Sequence, residues 1–214
     1  MIFFCLRALL AMGMLSLMAA CSILPQNDPV AAYRLPSATA PQSIADNTSS
    51  PVGTSERSLR IVTPNSSRIL ESDRILVMPK DNLLQSYSGV RWVDPVPILL
   101  RNRLLRAFRE DGQLRALSSD DDSVLAVQEL GGELTSFQSE YRNGMPTVII
   151  EFNARLIDTA SRRVIATRTF RVEQVAQDIQ VGQVIVAFGQ ASDALAAQII
   201  EWVMSQPVTR STGK

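Results

Sequence analysis

The chain has 214 residues, with 21 basic and 21 acidic side chains and no histidine. That balance argues against nucleic acid as a partner, because phosphate binding wants a clear positive excess. The missing histidine removes the commonest general base, the commonest metal ligand and the Ser-His-Asp triad together. Two lysines, Lys80 and Lys214, against nineteen arginines leave little room for Schiff-base chemistry. The composition therefore points away from an enzyme and nominates no catalytic residue, no cofactor and no metal ligand set.

In chain order, the first feature is an apolar run from Ala8 to Ala20, whose only upstream charges are Arg7 and the chain terminus. Its length and its closing small residues, Ala19 and Ala20, are those of a secretory signal. Cys21 follows directly, so that Leu17-Met18-Ala19-Ala20-Cys21 resembles the lipobox of bacterial lipoproteins. The resemblance implies cleavage before Cys21, a diacylglyceryl group on its thiol and an acylated new amine. Two plainer readings compete: an uncleaved membrane-spanning anchor over residues 1–20, and an ordinary signal peptide in which Cys21 is incidental. On the lipoprotein reading, Cys21 is the lipidation site and two or three acyl chains hold the chain firmly to a membrane. Cys5 leaves with the signal, so no disulfide forms within the mature monomer.

Residues 21–58 have the composition of a tether, with Pro25, Pro29, Pro36, Pro41 and Pro51 set among small and polar residues. Tyr33-Arg34-Leu35 interrupts it as a candidate edge strand over 33–35. The folded domain is expected over 59–206, with a frayed tail at 207–214. Leu59 to Val62 and Arg74 to Met78 read as short strands, the second ended by Pro79. A third candidate, Leu83 to Tyr87, is closed by Gly89.

A helix follows, with Asp94 as N-cap, Pro95 at the first position and Gly112 as the stop. Val96, Leu100, Leu104, Ala107 and Phe108 define its buried face. Arg101, Arg103, Arg106 and Arg109 are assigned to its outer face, as a solvated flank rather than a patch for anionic headgroups. After a short element at Leu114 to Leu117 comes a turn with Asp120, Asp121 and Asp122. Calcium loops space their ligands at alternate positions around a glycine, so three consecutive acids read as a solvated loop.

From Val124 to about Val175 the pattern is an antiparallel meander. Asn143-Gly144 is a type I′ hairpin signal, and Ile150, Phe152, Ala154 and Leu156 alternate with polar residues. Glu129 and Glu133 are assigned to the solvent face, not to a catalytic pair. The last element is a helix from about Gly182 to Met204, with Val184, Phe188, Ala191, Leu195, Ile199 and Trp202 as a core stripe. Ala187, Ala191, Ala194 and Ala196 form a narrow surface that a sheet can approach.

Several landmarks together resemble one family. They are Tyr33-Arg34-Leu35 soon after Cys21, Asp73 to Val77, and Tyr87 with Arg91-Trp92, Pro95, Pro97 and Leu99-Leu100. Later come Leu130, Leu134 and Phe137, then Leu156-Ile157-Asp158, Phe170, Phe188, Ala191 and Trp202. In this order they resemble the ABC-type transport auxiliary lipoproteins, which include the paraquat-inducible outer-membrane lipoproteins. The resemblance implies a three-layer α/β domain. Its mixed, largely antiparallel sheet is flanked by two main helices, somewhat like the amino-terminal domain of the Tol-system propeller protein.

It implies further an outer-membrane adaptor on the periplasmic face, partnered by an MCE-domain protein and the ABC permease and ATPase of a lipid transporter. Ser22 after the cysteine favours outer-membrane sorting over inner-membrane retention, and the resemblance allows a homo-oligomer whose number of subunits nothing in the sequence fixes. The alternative is a periplasmic lipoprotein that itself carries an apolar ligand between sheet and helices.

Overall fold

The computed structural model describes residues 30–37 and 55–208. Cys21, the leader 1–20, most of the tether and residues 209–214 lie outside the described residues. The elements in order are β1 (Ala31–Tyr33), β2 (Ser55–Ile61), β3 (Asn65–Ser66), β4 (Arg74–Lys80) and β5 (Leu83–Trp92). After these come α1 (Val96–Asp111), β6 (Leu114–Ser119), β7 (Gln128–Arg142), β8 (Met145–Asp158), β9 (Arg163–Val175) and α2 (Val181–Ser205).

The meander β7–β8–β9 is the spine. Its strands pair antiparallel along nearly their whole lengths, and the first turn has φ +52° at Asn143 and +81° at Gly144. Both positive values are what a type I′ turn demands and what matches the strand twist. The other edge of β7 is shared between two branches. β2 pairs parallel with its beginning, Leu59 facing Gln128 and Ile61 facing Leu130, and β6 extends outward from β2. β4 pairs parallel with its end, Val77 facing Ser139, and β5 and then β1 extend outward from β4. The result is an α/β domain with a large mixed sheet, antiparallel along the spine and between β4 and β5, and parallel where the other strands join.

Alternation in β8 decides which face is buried. Val148, Ile150, Phe152, Ala154 and Leu156 join one core cluster with residues of both helices. The helices touch each other as well as the sheet, so both cover the same face and the domain has two layers, where the resemblance implied three. The opposite face carries a charge ladder: Arg142 pairs with Glu140 and Glu173, and Arg171 with Glu151 and Glu173. Exposed pairs of this kind contribute little individually, but they keep a wide sheet face soluble.

In α2, Val184, Phe188, Ala191, Leu195, Ile199 and Trp202 are all buried, as the stripe predicts. Phe188 stacks on Phe137 at 5.0 Å and meets Trp92 edge-on at 5.4 Å, while Trp202 meets Phe170 at 5.6 Å. The helix is long and apolar enough to cross a bilayer, but 56% of that apolar window is buried inside the fold, as a core helix requires. Ala187, Ala191 and Ala196 are buried in the same contact; Ala194 is exposed, on the other side of the helix.

Some boundaries move. β4 continues one residue past Pro79. β5 runs through Gly89 to Trp92, because a bulge, with Arg74 facing Arg91 but Leu76 facing Ser86, absorbs the glycine at φ +70°. α1 begins at Val96, with Pro95 rather than Asp94 as its cap and no side-chain cap bond. The Pro95 carbonyl accepts from the Ile98 and Leu99 amides at 3.0 and 3.1 Å. Pro97 sits in the first turn, where its missing N–H costs nothing. Gly112 closes α1 at φ +71° in the left-handed conformation.

Candidate functional site: the clamp on the amino-terminal strand

The segment that leads back toward Cys21 is tied to the domain at every described residue class: backbone, charge and packing. β1 pairs parallel with β5, Ala31 facing Val90 and Tyr33 facing Trp92. This strand lies two residues earlier than the Tyr33–Leu35 triplet suggested. The Tyr33 carbonyl then accepts from the Val93 amide at 2.9 Å.

Beyond the strand, Arg103 of α1 takes over. Its guanidinium donates to the carbonyls of Leu35, at 3.2 Å, and Pro36, and pairs with Asp193 of α2 at 2.7 Å. Only 4% of the Arg103 side chain is exposed. Burial pulls its pKa below the ordinary arginine value, with Asp193 opposing the shift; it remains a cation. On the other flank Gly189 of α2 lets the backbone come close: a Cβ there would stand 2.5 Å from the Pro36 oxygen. One planar fork thus joins α1, α2 and the amino-terminal segment, a geometry suited to arginine and not to lysine.

Arg101, two residues earlier, makes a second knot. It binds Asp120 at 2.6 Å, Asp121 at 2.7 Å and the Thr63 hydroxyl at 3.1 Å. Burial lowers the Arg101 pKa, but the two carboxylates outweigh it and the net shift is upward. Burial likewise works against the Asp120 carboxylate. The Thr63 amide and hydroxyl and the Arg101 guanidinium overcome it and hold its pKa below the ordinary value. Asp122 accepts from the Ser119 amide at 2.8 Å. A third arginine, Arg57, donates to the Val203 and Gln206 carbonyls at the end of α2, where a cation also suits the helix dipole.

Two sequence assignments are corrected here. Arg101 and Arg103 do not lie on a solvated outer face: both are buried, and of the four arginines assigned there only Arg106 and Arg109 are exposed. The acidic turn is not merely solvated, since Asp120 and Asp121 serve Arg101. Glu133 is exposed and Glu129 half-buried. Among the described residues, no group of three or more His, Cys, Asp or Glu side chains is placed to hold a metal ion. Pro207, expected in the tail, accepts a hydrogen bond from the Gln128 side chain at 3.1 Å. Beside the clamp lies a solvent-open hollow of about 430 Å³, rimmed by Arg34, Val93, Asp94, Asn102 and Arg106.

The family model described as "ABC-type transport auxiliary lipoprotein component" matches residues 33–200. No curated protein matches the chain. Among solved structures, protein XCC0632 from Xanthomonas campestris, of the DUF330 family, is similar at 29% identity and a TM-score of 0.67. The similarity covers 71% of this chain and 85% of that one. The structure of an uncharacterized protein shares the fold at 16% identity and a TM-score of 0.62, covering 82% of this chain and 99% of that one.

Proposed function

Because the chain belongs to the ABC-type transport auxiliary lipoprotein family, we propose that it is the membrane-anchored adaptor of a lipid-transporting ABC system. Cys21 carries the lipid, the domain stands on the periplasmic face of the outer membrane, and its partners are an MCE-domain protein and the permease and ATPase of the transporter. The observation that carries this reading is the family match over residues 33–200, which begins at the clamped strand and ends in α2.

Packing supports the adaptor over the carrier. The space between sheet and helices is occupied by Trp92, Phe137 and Phe188, whose rings lie 5.0–6.3 Å apart, and by Phe108, Phe152 and Phe170, all nearly fully buried. A carrier needs several hundred cubic ångströms of enclosed apolar room, and these side chains fill the place where it would lie.

The test begins with the mass of the terminal peptide, expected to start at an acylated Cys21. Crosslinked envelopes are then expected to yield the protein together with an MCE-domain protein or a transporter subunit, in the outer-membrane fraction. Recovery without either partner after crosslinking overturns the adaptor reading, and sedimentation with the inner membrane overturns the address.

A further inference from the structure

The clamp leaves two cations without a counter-charge. Arg34 belongs to the amino-terminal segment and Arg106 to α1, and both are exposed. They line the same solvent-open hollow of about 430 Å³. Among the described residues, neither takes part in an ion pair or a hydrogen bond. Arg103 lines the hollow too, but it is satisfied by Asp193 and by the Leu35 and Pro36 carbonyls. Burial lowers the Arg103 pKa most, and the nearby Arg106 charge adds to that effect. Three guanidinium groups thus share one cavity, and two of them have no anion. Two acids stand close. Asp94 is in the lining, also without a partner among the described residues. Glu110 follows Arg106 by one turn of α1, in the less favourable order for an i, i+4 pair, and forms no ion pair with it.

We propose that this hollow binds a phosphate group between Arg34 and Arg106, and that the bound group fastens the amino-terminal segment to α1. A phosphate presents several oxygens and so bridges two guanidinium groups, the side chains best shaped to hold it. The Asn102 amide, exposed in the same lining, is a third donor. Asp94 selects among phosphates. It repels a fully ionised one and accepts from a hydroxyl on or beside the phosphate, so the ligand is a phosphate ester with a hydroxyl-bearing neighbour. Both a soluble glycerol phosphate and a phospholipid headgroup have that chemistry.

The site exists only while the segment is docked, because Arg34 comes from one piece and Asn102 and Arg106 from the other. A ligand that binds the docked form alone stabilises that form by mass action. At ten times the dissociation constant, exchange of the amides at 31–35 through local release slows about tenfold.

The experiment uses the full-length chain in dodecyl maltoside micelles, which carry no phosphate. One arm adds glycerol 3-phosphate, against sodium chloride of equal ionic strength; the other mixes phosphatidylglycerol into the micelles. Calorimetry is expected to show saturable binding, with exchange at 31–35 slowed about tenfold near saturation. Saturation by glycerol 3-phosphate identifies a soluble ester as the source, and a response to phosphatidylglycerol alone identifies a lipid headgroup. Arg34→Ala and Arg106→Ala, at exposed side chains, should each weaken binding about tenfold. Arg109→Ala, exposed on the same helix but outside the lining, should leave it unchanged. Four results overturn the proposal: no binding in either arm, an equal effect of sodium chloride, binding that survives both substitutions, or binding that leaves exchange at 31–35 as fast as before.

Discussion

Replacing Arg103 by alanine tests whether the clamp holds the amino-terminal segment or only decorates it. The substitution removes two donors to the Leu35 and Pro36 carbonyls and the guanidinium partner of Asp193. Breaking a buried pair from one side costs about 3–5 kcal/mol. The Asp193 side chain is 28% exposed, so water recovers part of that and the expected loss is about 3 kcal/mol. For a domain of this size that lowers the melting midpoint by about 6–12 °C. Arg103→Lys keeps the charge without the fork and is expected to fall between alanine and the parent. Urea unfolding gives the global loss, and amide exchange over residues 30–37 shows whether β1 is released ahead of the core. Arg106→Ala, exposed on the same helix, sets the baseline at within about 0.5 kcal/mol. If Arg103→Ala unfolds at that baseline, with unchanged exchange in β1, the clamp contributes nothing and the reasoning fails.

Gly189→Ala is expected to speed exchange at residues 31–37, because the new Cβ displaces Pro36. Gly182→Ala, at a site with nothing within 4 Å, should instead stabilise α2 by up to about 1 kcal/mol, a contrast thermal unfolding reads directly. Asp120 has its folded pKa held below the ordinary 3.8. It therefore contributes stability that is complete above about pH 4 and is lost as the pH falls through the folded value. Asp120→Asn should lower stability at pH 7 and flatten its acid dependence in urea titrations; an unchanged slope would contradict the knot. Phe188→Ala opens the aromatic stack and should cost about 3–5 kcal/mol, measured by denaturant midpoint. Leu125→Asp, at a side chain 93% exposed, should leave stability within about 0.5 kcal/mol of the parent, read by the same denaturant midpoint.

What the chain states locally was readable without coordinates. The Asn143-Gly144 turn, the alternation through Ile150 to Leu156 and the stripe from Val184 to Trp202 are each set by neighbours a few residues apart. Backbone geometry and burial act on them directly. The four arginines of α1 were readable only in part. At 3.6 residues per turn, Arg101 and Arg103 stand about 200° apart, so one outer face never held both, and that spacing was the missed signal. Where each guanidinium ends was beyond any local pattern. Arg103 meets a carbonyl 68 residues away and a carboxylate 90 residues away, and β1 enters the sheet by pairing with Val90 to Trp92. A Pro- and Ser-rich composition marks a tether because it buries little surface of its own. Three backbone pairs and one buried fork, supplied by distant parts of the fold, tie its middle to the sheet, and only the assembled domain brings them to the same place.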